Sequence, residues 1–336
     1  MTIIIEKFDH SDEHYAAIER IANTIYPEYP ETMADMQRRD RKREAKYHFQ
    51  RFVGRESGSQ RIIAYGEARH DSYSHHPQKF WVEVYLLPEQ QGQGFGRKFY
   101  AHILDHLAPF NPTILEAGTR SDKVRAMRFL EDRGYELKTR EYSSMLDLNR
   151  FDSAEFASYT TRCRAAGIEI IDLVELKRRY PSQWTRIVYD ITTAVIKDIP
   201  WHDTFTPLPF DVWCNKYETQ PNRIDGAFLL AMDGAVAVGV TMLFKSDATQ
   251  DSLFTGTTGI RRAYRRKGIA IALKCQSLDY AKHNFRNAAG NAPNVMTENE
   301  ENNPMYTINQ RLGFIRQPDW MAYRKEMGAG SKGKGE

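Results

Sequence analysis

The sequence predicts an α/β protein made of two tandem copies of one unit, in which a strand runs through a glycine loop into a helix. Three observations carry this. The segment LPEQQGQGFGRKFYAHIL near residue 90 returns as RRAYRRKGIAIALKCQSL near residue 265. Within it, Gln91-Gly92-Gln93-Gly94-Phe95-Gly96 and Arg265-Arg266-Lys267-Gly268-Ile269-Ala270 share the pattern [QR]-x-x-G-x-[GA], 174 residues apart. Downstream, Leu-x-x-x-Gly-Tyr at Leu130 to Tyr135 recurs as Asn-x-x-x-Gly-Phe at Asn309 to Phe314, 179 residues apart.

The elements follow in order. MTIIIEKFDH has a short apolar run and no small-residue cleavage pattern, so it reads as a first strand and not as a signal peptide. Arg51-Phe52-Val53, a turn around Ser57-Gly58-Ser59, and Arg61 to Tyr65 predict strand–turn–strand. Val82, Val84 and Leu86 alternate as a strand leading into the first loop. Phe95, Phe99, Ile103 and Leu107 repeat every four residues, as a helix leaving it would. The polar stretch Asn149 to Arg164 places a boundary near residue 150, ahead of a strand at Ile168 to Leu173. Gly226 to Phe244 is nearly long enough to cross a membrane, but Asp233-Gly234 interrupts it and predicts a hairpin instead. Leu253 to Ile260 is the strand entering the second loop, and Ile271, Cys275 and Leu278 mark the helix after it. The expected organisation is residues 1–150, residues 151–327, and a disordered Gly/Ser/Lys tail over 328–336.

Composition bounds the function without naming it. The chain of 336 residues is long enough for two domains, and 41% hydrophobic with 27% charged residues excludes collagen-like, coiled-coil and wholly disordered chains. A net charge of +3 gives no reason to expect nucleic acid as a partner. Cys163, Cys214 and Cys275 are odd in number and lack metal-ligand spacing, so neither a disulfide framework nor a structural zinc is expected, and a reducing cytoplasm fits. No membrane segment remains. The basic run Arg38 to Lys46 reads as a solvated helix face, and His75-His76 as a surface loop. Trp201, His202 and Trp213 fall in a Pro-rich connection that either covers a pocket or packs in a core.

A glycine turn between strand and helix aims several backbone N–H groups, at the positive end of a helix dipole, toward any ligand that approaches, which suits a diphosphate. Arg97 and Lys98 flank the first loop, and Arg265, Arg266 and Lys267 lie within the second. Neither loop forms G-x-x-x-x-G-K-[ST] or G-x-G-x-x-G, which excludes a P-loop and argues against a dinucleotide site.

Both loops resemble motif A of the GNAT (Gcn5-related N-acetyltransferase) family, whose [QR]-x-x-G-x-[GA] turn holds the pyrophosphate of acetyl-CoA. The Gly-Tyr and Gly-Phe endings fit the same family, and two copies resemble its tandem, mycothiol synthase-like members. The resemblance implies a mixed sheet with flanking helices in each domain, and a strand that splays from its neighbour to admit the pantetheine arm. It implies cofactor contacts at Tyr85, Leu86 and Leu87 before the first loop, then at Gln91 to Gly96 and Arg97. In the second copy the matching positions are Thr258, Gly259 and Ile260, then Arg265 to Ala270. The acceptor amine would enter from the opposite side and attack the thioester in a ternary complex, with no covalent enzyme intermediate.

An alkyl ammonium has a pKa of about 10, so the site needs a base, a water path or desolvation, and the departing thiolate benefits from a proton donor. The family often uses a tyrosine four residues before the glycine of Gly-Phe, where this chain has Leu130 and Asn309. The second copy's helix stripe reads Asn302, Tyr306, Asn309, whereas the first reads Lys123, Met127, Leu130. The expectation is therefore a catalytic C-terminal domain, with Tyr306 as acid and Asn302 and Asn309 at the cofactor. Glu298 and Asp198 are its candidate bases, and Glu83 and Glu116 are those of the first copy. The function so implied is acetyl transfer from acetyl-CoA to a primary amine, on a small molecule. A non-catalytic CoA-binding protein and a protein-lysine acetyltransferase remain open as alternatives.

Overall fold

The structure is a computed structural model that describes all residues except Met1, Tyr73, 201–205, Thr219, Asp247 and 329–336, with Lys216 described by backbone alone. Trp201, His202 and the tail beyond Gly328 thus lie outside the described residues.

The chain starts with β1, Ile3–Lys7, followed by α1, Asp12–Ile25, and α2, Met33–Arg41. Ser11 and Thr32 begin the two helices, each accepting a hydrogen bond from the backbone N–H three residues on. Tyr15, Ile18, Ile21 and Ala22 form the buried stripe of α1. The basic run closes α2 and the turn after it, with Arg39 paired to Glu31 at 2.8 Å and Arg43 to Asp40 at 3.3 Å. Strands β2, Phe49–Glu56, β3, Ile62–Arg69, and β4, Lys79–Leu86, follow as an antiparallel meander. After the first glycine loop come α3, Phe95–Leu107, β5, Ile114–Arg120, and α4, Val124–Glu131. The helix expected after the loop is present, with Phe95, Phe99, Ile103 and Leu107 buried.

Strand β6, Glu136–Asp147, leads into α5, Ala157–Ala165, β7, Ile168–Asp172, α6, Leu173–Arg179, α7, Trp184–Ile196, and α8, Phe210–Glu218. The hairpin expected at Asp233-Gly234 joins β8, Leu229–Asp233, to β9, Val236–Thr241, with Gly234 at φ +56°. Then come β10, Leu243–Lys245, β11, Ser252–Thr255, β12, Gly259–Ile260, and α9, Ile269–Asn284. The chain ends with β13, Asn294–Glu300, α10, Met305–Arg311, β14, Ile315–Arg316, and β15, Trp320–Glu326.

Contacts divide the chain at Thr139/Arg140, and Trp320–Glu336 belongs with Met1–Thr139, not with Arg140–Asp319. This differs from a cut near residue 150 for a physical reason. β6 pairs with β13 from Arg140's neighbour Glu141 onward, and β15 pairs antiparallel with β5 from Trp320↔Arg120 to Glu326↔Ile114. The polar stretch read as a boundary instead contains α5, which packs on α9 within the second unit.

The first unit's sheet runs β1-β2-β3-β4-β5-β15, and its core gathers Phe52, Ile63, Phe80, Phe99 and Ile103 between sheet and helices. In the second unit, β6-β13-β11-β10 form one sheet and β12-β9-β8-β7 another. Both units are mixed α/β, as the sequence predicts. Leu253 to Ile260 is not one strand: β11 pairs with β10 and β13, β12 pairs with β9, and the chain changes sheet at Gly256 to Thr258. No helix among the described residues is long and apolar enough to cross a membrane.

Candidate functional site

In the first unit, β4 pairs with β3 along its length, from Arg69↔Trp81 to Ala64↔Leu86. Its parallel ladder to β5 covers only Lys79 to Trp81, opposite Ile114 to Glu116. Beyond Trp81 the two strands separate, and a cavity of about 480 Å³ passes between Val82–Leu86 on one side and Ala117–Thr119 on the other. A strand edge without a neighbour leaves backbone donors and acceptors for a ligand. Leu87, at the end of this edge, donates its backbone N–H to Ile63 O at 3.1 Å.

The first loop opens onto this cavity. Gly92 and Gly94 both have φ +84°, and Gly94 caps the N-terminus of α3. Gln91 ties the loop to the strand, its Nε2 donating to Leu86 O at 3.0 Å. Gly92, Gln93 and Gly94 are exposed, and a Cβ placed on Gly94 would meet nothing within 4 Å. Arg97 and Lys98 are exposed beside it. Arg125, which lines the cavity from α4, brings Nη1 to 3.3 Å from the position a Cβ on Gly92 would take. The motif did not point to Arg125, although it stands in the α4 segment that the repeat aligns; the second copy has Pro304 there.

Tyr100, Tyr135 and Glu83 are among the titratable side chains that line the same space. Tyr100 and Tyr135 bring their hydroxyls to 3.2 Å beside Leu130. Glu83 stands on β4 opposite Glu67, accepts from Trp81 Nε1 at 2.5 Å, and lies 3.7 Å from Arg69 Nη2. Burial pushes the Glu83 carboxyl above its ordinary value, opposed by Arg69 and reinforced by Glu67. Glu116, the other first-copy candidate, is committed elsewhere: Arg324 donates to its Oε1 through Nε at 3.1 Å and Nη2 at 2.7 Å.

The second loop repeats this backbone closely. Arg266 and Gly268 have φ +63° and +79°, matching Gly92 and Gly94, and Arg265 Nε donates to Ile260 O at 3.0 Å as Gln91 does to Leu86 O. Its surroundings differ. Asp198 accepts from Arg262 Nε at 2.8 Å and from Arg265 Nη2 at 2.5 Å, and these bonds, Arg262 first, hold its carboxyl below the usual range. A Cβ on Gly268 would fall 2.5 Å from the Tyr159 ring, whose hydroxyl accepts from Arg311 at 3.0 Å. Lys267 lies over the Tyr264 ring at 5.1 Å, while Ile269 and Ala270 are buried. Upstream, Thr258 shares a 2.8 Å hydroxyl bond with Thr241, Gly259 abuts Val195, and Ile260 pairs with Gly239.

The polar stripe of α10 is engaged within the second unit. Asn302 donates to Glu300 through both its backbone N–H and its side chain, at 2.8 and 2.9 Å. Asn309 is fully buried and donates to Asn299 Oδ1 at 2.6 Å. The Tyr306 ring lies 4.7 Å from that of Tyr142. Tyr142 is registered with Asn299, so Tyr306 sits on the Asn299 face of β13, and Glu298 is exposed on the other. Lys274 occupies the α9 position that corresponds to Tyr100, 3% exposed, with its ammonium 5.4 Å from the Phe314 ring. Trp213, placed by sequence at either a pocket or a core, is a core residue stacked on Tyr217 at 4.1 Å.

Residues 15–135 match the sequence profile of the Acetyltransferase (GNAT) family. No curated protein sequence matches the chain. Among solved structures, a tandem GNAT protein from the clavulanic acid biosynthesis pathway is similar at a TM-score of 0.72 and 16% identity, covering 98% of this chain and 100% of that one. A GCN5-related N-acetyltransferase from Sphaerobacter thermophilus is similar at a TM-score of 0.66 and 17% identity, covering 96% and 95%. A glucosamine N-acetyltransferase region of a fungal multi-domain GH3 β-N-acetylglucosaminidase gives 0.68 and 12%, covering 96% of this chain and 38% of that one. At these identities the likeness is one of fold.

Proposed function

We propose, from the match of residues 15–135 to the Acetyltransferase (GNAT) family and the likeness in fold to a tandem GNAT protein, that the chain transfers an acetyl group from acetyl-CoA to the primary amine of a small molecule, with the first unit as the working site. One observation carries the choice of unit: a single cavity joins the region of the first loop, the free edge of β4 and Glu83. The three cysteines are free thiols, which fits a reducing cytoplasm.

The fit to the cofactor rests on this chain's own groups. The amides around Gly92 to Phe95, with Arg97 and Arg125 nearby, would hold the diphosphate, and the edge of β4 at Tyr85 and Leu86 would pair with the pantetheine arm. Bound acetyl-CoA supplies the thioester. The amine nitrogen attacks the carbonyl carbon, a C–N bond forms and the C–S bond breaks. Glu83, ionised, takes the proton lost by the nitrogen, directly or through one water. The Tyr100–Tyr135 hydroxyl pair is the proton source for the departing thiolate, in the region where Leu130 replaces the family's tyrosine. The second loop, whose Arg262 and Arg265 are held by Asp198, is assigned a structural role, and so are Tyr306 and Glu298.

The test is release of free CoA thiol from acetyl-CoA over a panel of amines. Glu83→Gln should lower kcat by about 10² to 10⁴, whereas Glu298→Gln and Tyr306→Phe should leave it within twofold. The reverse pattern would return catalysis to the second unit, and no turnover with tight CoA binding would make the protein a CoA sensor.

A further inference from the structure

Beside the first unit's cleft, aromatic rings form a continuous wall that acetyl transfer itself does not require. Tyr85 stacks on Tyr65 with centroids 4.5 Å apart at 16°, and meets Tyr26 edge-on at 6.2 Å. Tyr26 lies 5.0 Å from Trp320, which lies 5.5 Å from Tyr29. These rings come from the end of α1, the segment after it, β3, β4 and the start of β15, all within the first unit. Tyr26 and Tyr85 line the cavity together with Glu83. Tyr26, Tyr29, Tyr85 and Trp320 are only half-buried, so a ligand can still cover them.

The charges beside the wall are already paired with one another. Arg120 is 3% exposed, with Glu28 at 2.8 Å and Asp122 at 3.3 Å, and Asp122 also holds Lys123 at 3.4 Å. A substrate carboxylate entering here would have to displace one of those carboxylates, and a sugar would set its hydroxyls against ring faces. A flat apolar body gains on both counts, since aromatic contacts add stacking to the area they bury.

We infer that the acceptor is an arylalkylamine, its ring laid against the wall of Tyr26, Tyr85 and Trp320 and its amine directed to Glu83. The inference rests on the reading of the first unit as the acetyl-transfer site and adds the chemical class of the acceptor to it.

The test uses the full chain, acetyl-CoA and thiol release with 2-phenylethylamine, glucosamine and alanine as probes. The expected kcat/KM for 2-phenylethylamine is at least tenfold above the other two. Trp320→Leu and Tyr29→Leu should each raise its KM about five- to tenfold, the worth of one aromatic face, with the loss falling on KM and not kcat, and Trp320→Phe should restore it. A preference for glucosamine or alanine, or a KM that neither variant moves, overturns the inference and leaves the acetyltransferase reading standing. No turnover with any amine, together with no heat of CoA binding, overturns both.

Discussion

Tyr159 lies against Gly268 so closely that a side-chain carbon on that glycine would fall 2.5 Å from the ring, whereas one on Gly94, the same position of the first repeat, would meet nothing within 4 Å. Two loops with nearly the same backbone thus present different surfaces to a ligand. Since Asp198 also holds Arg262 and Arg265, the expected stoichiometry is one CoA per chain. Isothermal titration calorimetry checks this, and a fitted value near two would show that the second loop opens to the cofactor.

The same pair separates binding from packing. Both glycines have positive φ, so alanine at either position costs about 1–2 kcal/mol of backbone strain. At Gly268 the methyl group also collides with Tyr159, adding about 1–3 kcal/mol. Gly268→Ala should therefore lower the Tm more than Gly94→Ala, while only Gly94→Ala weakens CoA binding. Differential scanning calorimetry and titration of both variants give the four numbers needed.

How much of this was legible in the sequence follows from the range of each interaction. The [QR]-x-x-G-x-[GA] pattern is local: its first glycine marks the positive φ of Gly94 and Gly268, while the positive φ two residues earlier falls at an unspecified position, taken by Gly92 in one copy and by Arg266, at φ +63°, in the other. The helices after the loops were legible for the same reason, because their apolar period is local. The ion pairing beside the second loop was not, since Asp198 reaches Arg265 across 67 residues. Residue type also leaves partners unread at α10 and just before it. Asn302 and Asn309 are expected at the cofactor from sequence, and their hydrogen bonds to Glu300 and to Asn299 are tertiary or turn contacts that the stripe does not encode. The return of Trp320 to the first unit depends on strand pairing to β5, which no local pattern encodes.

As the proposed base, Glu83 would set the acid limb of activity. Its carboxyl is raised by burial, pulled down by Arg69 and raised by Glu67. A base must be ionised to work, so kcat/KM should climb with pH through a value above the ordinary carboxylate range. Arg69→Gln removes the cation that lowers this value, and the limb should move to higher pH. The pH–rate profile of the two proteins decides it: a limb that stays put or moves to lower pH rules Glu83 out as the group reported.

Lys274 makes a prediction about stability instead of activity. Its ammonium is buried in the second unit, and burial alone pushes its pKa down from 10.5 to about 8. The sign follows from proton counting. Between about pH 8 and 10.5 the unfolded chain holds the proton that the folded chain has released, so folding becomes more favourable as pH rises across that window. Below pH 8 both states are protonated and the full cost, about 3 kcal/mol for a shift of this size, weighs against the native state. Lys274→Met keeps a chain of similar length without the charge, beside the Phe314 ring that now faces the ammonium. The variant should melt at a higher temperature than the parent at pH 7, and the gap should narrow as the pH approaches 10. Denaturant titrations at pH 7, 8.5 and 10 measure it directly, and a gap that is absent at pH 7 or widens toward pH 10 would mean that Lys274 is not buried as an unpaired cation.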